Sequence, residues 1–283
     1  MTDEEQLPGG VANAGKVTRV GDVVLRPSNP HSSSIHGFLT RLRAAGFDGA
    51  SRPLGIGTDG RERLEFIAGD VPIPPYPAWS QADTALASIA DLMRRFHDAA
   101  RRVDPSGAAS TRLDWSGVGS SGLDPSETRW NTEMADPLGG PIICHNDVCL
   151  ENVVFRSGVA VGLVDFDFAA PGRPGFDLAA MARMCVPISD DLGAEQLGWH
   201  PADRPARLRL VTDVYGLDRP ARDQLLTMLD DSIASGGAFV RRRVEAGDPN
   251  FVKMWNELGG AERFERRRRW WEADRDRFAE AVR

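Results

Sequence analysis

The chain has 283 residues, 41% of them hydrophobic and 27% charged, with a net charge of −7 and a sequence pI near 5.3. That is enough apolar material to bury a core for one large domain or two modest ones sharing a cleft. The acidic balance argues against non-specific binding to nucleic acid or to an anionic membrane. "MTDEEQLPGG" is polar rather than signal-like, and no apolar run reaches the ~20 residues of a membrane span. Three cysteines without a paired spacing suit a reducing compartment, so a cytoplasmic protein, monomeric or homodimeric, is expected.

In chain order, residues 9–27 read as a glycine-rich turn followed by two strands, with Gly21-Asp22 as a tight hairpin turn. The stretch after it is helical, with Ile35, Phe38, Leu39 and Leu42 on one face and Gly46 as a stop. Two short strands around "TDG" follow. The proline-dense "DVPIPPYP" is an extended connection. From Ser80 the pattern turns helical again, with Ser80 and Asp83 as capping signals and Leu86, Ile89, Met93 and Phe96 at helical spacing. Residues 104–128 are loop-like, and residues 141–166 are strand-like with a turn near Gly158. The rest is mostly helical. The expected division is a small β-rich lobe over residues 1–69 and a larger helical lobe over 70–283, with a hinge at about 64–78.

Polar residues inside the strand-like segment carry the chemistry. Asp147 is followed five residues later by Asn152 and thirteen after that by Asp165. If the strand from Asn152 pairs with the one ending at Asp165, an amide oxygen and a carboxylate converge at one end of the hairpin. Such a pair suits a hard cation such as Mg2+, which keeps waters and phosphates in its shell. Asp147 would face the same point and align an attacking hydroxyl, as phosphoryl transfer requires.

"HNDVCLENVVF" and "GLVDFDFAAPGRPGFDLA" resemble the motifs of the aminoglycoside phosphotransferase family, small-molecule kinases with a protein-kinase-like fold. The resemblance implies a two-lobe α+β architecture, with a small antiparallel-sheet N-lobe and a larger helical C-lobe. It implies that ATP or GTP donates its γ-phosphoryl group to a hydroxyl of a small molecule, an antibiotic or metabolite. It makes Asp147 the catalytic aspartate, Asn152 and Asp165 the Mg2+ ligands, and Asp177 a structural carboxylate. Gly10, Asn13 and Lys16 in the glycine-rich segment, Arg26 on the third strand, and the backbone of Glu65 and Ile67 in the connector would contact the nucleotide. His145 would brace the loop by hydrogen bonds.

The sequence departs from that family at several positions. Asn146 stands where the family has glycine, Phe166 where it has Trp, and Asp167 where it has Glu. Arg26 replaces the family's lysine, in a chain with only two lysines, Lys16 and Lys253. Between Val23 and Phe47 there is no Asp or Glu, so Arg26 lacks the acidic helix partner of the family, and Ile35 or His36 occupies its place. A pseudokinase that binds nucleotide or a small molecule without turnover is the alternative.

Other features have plainer readings. His97 is expected at the surface or at a cap, and Arg173 as a loop surface charge. "ERRRRWW" is read as a terminal helix that docks Phe264, Trp271, Phe278 and Val282 and solvates its arginines, rather than as a nucleic-acid site. Nine acids against three bases between Asp136 and Glu195 allow a cationic acceptor, with Asp190 and Asp191 either lining its pocket or capping a helix. Cys144, His145 and Cys149 lack an evident fourth ligand for zinc.

Overall fold

The computed structural model describes residues 4–7, 15–103 and 129–283. Its N-terminal part is a five-stranded antiparallel sheet. β1 (Glu5–Gln6), β2 (Thr18–Val20), β3 (Val23–Pro27), β4 (Pro53–Ile56) and β5 (Arg61–Glu65) are ordered β1-β2-β3-β5-β4. The β2–β3 hairpin turns at Gly21-Asp22 as the sequence indicates. Val20 pairs with Val23, and Gly21 takes a left-handed φ of 59° that glycine adopts without strain. Helix α1 (Ser32–Ala44) follows β3, and Ile35, Phe38, Leu39 and Leu42 are buried along one stripe.

Helix α2 (Asp83–Ala100) buries Leu86, Ile89, Met93 and Phe96. Its expected cap is displaced. The N-cap is Ala82, and Ser80 sits in a preceding turn where its hydroxyl donates to the Pro77 carbonyl at 2.8 Å. Two small hairpin-like sheets come next. β6 (Ile142–Cys144) pairs with β9 (Ala170–Gly172), and β7 (Val153–Arg156) pairs with β8 (Val159–Leu163). The remainder is helical: α3 (Pro174–Cys185), α4 (Asp191–Glu195), α5 (Arg204–Tyr215), α6 (Arg219–Glu245), α7 (Pro249–Glu257) and α8 (Gly260–Val282).

One continuous apolar core runs from α1 through α2, the β7–β8 hairpin and α3 to α8. Each large side chain fully buried there contributes about 1.5–3 kcal/mol. The N-terminal sheet is tied to the β7–β8 hairpin at two places. Leu163 N–H donates to Gly49 O at 2.8 Å, and Asp70 and Phe155 exchange both backbone hydrogen bonds at 2.8 Å. The hairpin therefore stands at the junction between the sheet and the helices. No helix among the described residues is long and apolar enough to cross a membrane.

The terminal helix departs from expectation. Trp271, Phe278, Ala279 and Val282 dock into the core, but Phe264 instead stacks on Trp255, with ring centroids 5.2 Å apart. Its arginines are not all solvated, because Arg266 and Arg267 turn inward and carry buried guanidinium nitrogens.

Candidate active site

The loop after β6 is shaped by Asp177, a fully buried carboxylate in the first turn of α3. Its Oδ2 accepts from the His145 N–H and its Oδ1 from the Asn146 N–H, both at 2.8 Å. Burial would raise its pKa. The hydrogen bond from His97, the nearby imidazoles and these backbone donors hold it below the usual carboxylate range. Asn146 has a φ of 65°, the left-handed conformation that glycine tolerates best and Asn tolerates better than most side chains. Its amide also donates to the Phe168 carbonyl at 2.9 Å. The glycine-to-asparagine difference thus preserves the backbone shape and adds a bond.

His145 is buried and bonded at both nitrogens. Nε2 meets the Val164 carbonyl at 2.9 Å, and Nδ1 accepts from the Asp147 N–H at 3.3 Å. Donation from Nε2 fixes the tautomer, and burial lowers the pKa, so the ring is a neutral brace. Phe166 packs on it at 4.4 Å and reaches Phe38 of α1 at 6.4 Å.

Asp147 is half-buried. The Asn152 side-chain amide donates to its carbonyl at 2.8 Å and to its Oδ2 at 3.3 Å. Burial and then the neighbouring Asp165 carboxylate push the Asp147 pKa up to about 8, while Arg183 pulls against them. Asp165 follows β8 with a φ of 63°, a conformation uncommon for a non-glycine residue. Asp147, Asn152 and Asp165 are thus brought together.

Arg26 differs most from expectation. It is 7% exposed and is not short of acidic partners. Nε lies 3.0 Å from Glu62 Oε2, Nη1 lies 3.0 Å from Asp165 Oδ1, and Nη2 bonds Asp167. Glu62 comes from β5, directly opposite Arg26 in the sheet register, not from α1. The helix supplies His36 instead, whose Nε2 is 3.9 Å from the same Glu62 oxygen. Burial would raise the Glu62 pKa, but His36 and Arg26 keep it lowered. Asp167, given no role in the sequence reading, also accepts from Asn29 at 3.0 Å, and burial with the Asp165 charge raises its pKa to about 6. Nothing in the spacing pointed to Glu62. Only the strand pairing places it.

A cleft of about 170 Å³ lies between the sheet and the β7–β8 hairpin, lined by Val24, Arg26, Leu64, Ile67, Asn152 and Asp165 among others. Ile67 faces this cleft. At Glu65 the backbone N–H is already bonded to Arg52 O at 2.8 Å. Lys16 is exposed near the start of β2, and Gly10 and Asn13 lie outside the described residues. Three carboxylates surround one guanidinium here, an excess of negative charge that a divalent cation would relieve. Asn152 and Asp165 fit a hard ion that keeps waters and phosphates. Among the described residues no three His, Cys, Asp or Glu side chains cluster as a metal cage. The Cys144 thiol instead faces the Arg173 carbonyl at 3.6 Å.

Two plainer readings, for His97 and Arg173, are overturned, and the helix cap at Asp190 is borne out. His97 is fully buried, with Nε2 3.0 Å from Asp177 Oδ2 and Nδ1 2.7 Å from the Tyr215 hydroxyl. Arg173 clamps the buried Asp136 through Nε at 2.6 Å and Nη2 at 2.9 Å. The acids of the acidic segment are largely spoken for. Asp190 caps α4 through the Gly193 N–H at 3.1 Å and meets Arg266 Nε at 2.7 Å, and Asp191 pairs with Arg204 at 2.7 Å.

The chain matches the phosphotransferase enzyme family over residues 3–211 and belongs to it. It is a small-molecule phosphotransferase with the protein-kinase-like fold of aminoglycoside phosphotransferases and choline/ethanolamine kinases. Among relatives, it is 35% identical over 236 residues to the trifolitoxin immunity protein of Rhizobium leguminosarum bv. trifolii, covering 80% of this chain and 81% of that one. Among solved structures it resembles an ethanolamine kinase of Plasmodium vivax, with TM-score 0.57, 13% identity, and coverage of 90% of this chain and 80% of that one. It also resembles the GDP complex of aminoglycoside 2'-phosphotransferase-IIIa, with TM-score 0.53, 16% identity and 90% of each chain covered. A third is a choline/ethanolamine kinase family protein from Mesorhizobium loti, with TM-score 0.51, 18% identity, and 99% and 92% covered.

Proposed function

We propose that the protein transfers the γ-phosphoryl group of ATP or GTP to a hydroxyl group of a small molecule. The observation that carries this reading is the convergence of Asp147, Asn152 and Asp165, with Asn152 and Asp165 lining the cleft, Asn152 bonded to Asp147 and the Asp165 charge acting on it. The nucleotide base would lie in the apolar part of the cleft between Val24, Leu64 and Ile67. Asn152 and Asp165 would hold Mg2+, which when bound neutralises phosphate charge. Asp147 would orient the acceptor hydroxyl and take its proton late in the transfer. In the metal-free protein its pKa is raised, first by burial and then by the Asp165 charge. Arg26 would sit beside the phosphates, held in place by Glu62 rather than by a helix carboxylate.

The test is nucleotide consumption against a panel of hydroxylated compounds, with Mg-nucleotide binding followed by thermal shift. Turnover that Asp147→Asn abolishes while the thermal shift persists supports the reading. A chain that Mg-nucleotide does not stabilise would sink it.

A further inference from the structure

Four arginines lie near one another among the helices, and one of them, Arg183, acts on Asp147. Arg183, on the last turn of α3, is 9% exposed. Its Nε donates to Ser232 of α6 at 3.1 Å. The guanidinium lies against the bare backbone of Gly236, where a Cβ would come within 3.0 Å of Nη1, so glycine makes room for it. Arg183 and the Asp147 carboxylate are close enough to shift each other's ionisation. From α8, Arg263, Arg266 and Arg267, each only partly exposed, stand beside one another, and Arg267 lies close enough to Arg183 to feel its charge.

Among the described residues one carboxylate answers the three arginines from α8. Asp190 takes Arg266 Nε at 2.7 Å and also caps α4. Arg266 Nη2 and Arg267 Nε and Nη2 are buried and make no hydrogen bond among the described residues. Burial, and then the charges of Arg183 and Arg263, lower the Arg267 pKa to about 9. A chain with a net charge of −7 has acids to spare, yet among the described residues Asp190 is the one carboxylate bonded to these α8 arginines. Unpaired buried donors on charged groups are unfavourable unless a ligand satisfies them. Forked guanidinium donors match the two oxygens of a carboxylate or phosphate.

We propose that the acceptor carries an oxyanion, a carboxylate or a phosphate group, bound by Arg183, Arg263, Arg266 and Arg267 while its hydroxyl lies at Asp147. This names the substrate class within the kinase reading above and rests on it. It reverses the expectation of a cationic acceptor, because the acids behind that expectation are consumed by Arg173, Arg204, Arg266 and the Asp177 network. Arg267 is then a specificity residue, with two nitrogens reserved for the ligand.

Thermal unfolding of the full chain in inorganic phosphate, acetate and chloride at matched ionic strength tests this. Phosphate or acetate is expected to raise the melting temperature above the chloride value by on the order of 3 °C. The more effective of the two tells a phosphate-bearing from a carboxylate-bearing acceptor. Oxyanions could also bind beside Arg26, so the variants decide. Arg267→Gln should remove most of the shift, while its own melting temperature in chloride is no lower than wild type, because an unpaired buried cation is gone. Arg267→Lys should keep part of the shift. An equal oxyanion shift in wild type and Arg267→Gln, or none in wild type, overturns the inference. Mg-nucleotide stabilisation, measured alongside, reports separately on the kinase reading. Its loss with an intact Arg267-dependent shift counts against that reading and not against the oxyanion site.

Discussion

Arg26 and Glu62 face each other across β3 and β5 with Nε and Oε2 3.0 Å apart, and both are almost fully buried. The acidic partner that the family resemblance places on the helix comes here from the neighbouring strand. The same guanidinium also reaches Asp165 and Asp167, so it joins the sheet to the Asp165 side of the cleft.

Arg26→Ala should therefore cost about 3–5 kcal/mol of stability, because it strands buried carboxylates without a counter-charge. Arg26→Lys should recover only part of this, since one ammonium cannot span three carboxylates that a fork reaches with separate nitrogens. Urea denaturation of both variants is the check. Equal stability of Arg26→Lys and wild type would show that the fork geometry does not matter.

Asp147 should make stability fall with rising pH in the protein free of nucleotide and divalent metal. Its folded pKa, about 8, lies above the unfolded value. Folding therefore favours the protonated form. The contribution is intact below about pH 4 and is lost as pH rises towards 8. Asp147→Asn removes this dependence, so the variant should be the more stable one at pH 8, by about 2 kcal/mol or more. A stability difference that is flat across this range would contradict the burial assigned to the carboxylate.

Asp177 has the opposite sign. Its folded pKa is depressed, so its contribution is present above the unfolded value of about 4 and disappears as pH falls through the folded one. Asp177→Ala should cost about 3–5 kcal/mol at neutral pH and flatten the acid limb of the stability profile. The His145 and Asn146 amide protons, bonded to Asp177, should then lose hydrogen-exchange protection ahead of the rest of the core. Unchanged protection would place the support of this loop elsewhere.

Asn146→Gly should be tolerated within about 1 kcal/mol, because glycine gains in the left-handed conformation what the lost bond to Phe168 removes. Asn146→Val should cost about 2 kcal/mol or more, since a β-branched residue is disfavoured there. Equilibrium unfolding of the two variants ranks them, and a reversed order would mean that φ is not 65° in solution.

The parts legible in the sequence were those that local pattern encodes. The strands around Gly21, the stripe on α1 and the grouping of Asp147, Asn152 and Asp165 all follow from short-range spacing. What escaped depended on long-range pairing. His97 looked peripheral because Asp177 and Tyr215, its partners, are 80 and 118 residues away. Glu62 was overlooked because the acidic partner was sought on a helix, whereas cross-strand register supplied it. Arg267 read as a solvated charge because its helix is rich in exposed arginines on both sides. The sequence does not say which of them faces inward.

The β7–β8 hairpin is bonded to Gly49 on one side and to Asp70 on the other. A segment fastened to the hairpin by reciprocal bonds at Asp70 cannot swivel there without unzipping them. A hinge in the expected 64–78 connector would therefore have its pivot on either side of that clasp rather than at Asp70. Substitutions in the proline-dense connector would then alter the aim of Asn152 and Asp165 as much as the width of the cleft.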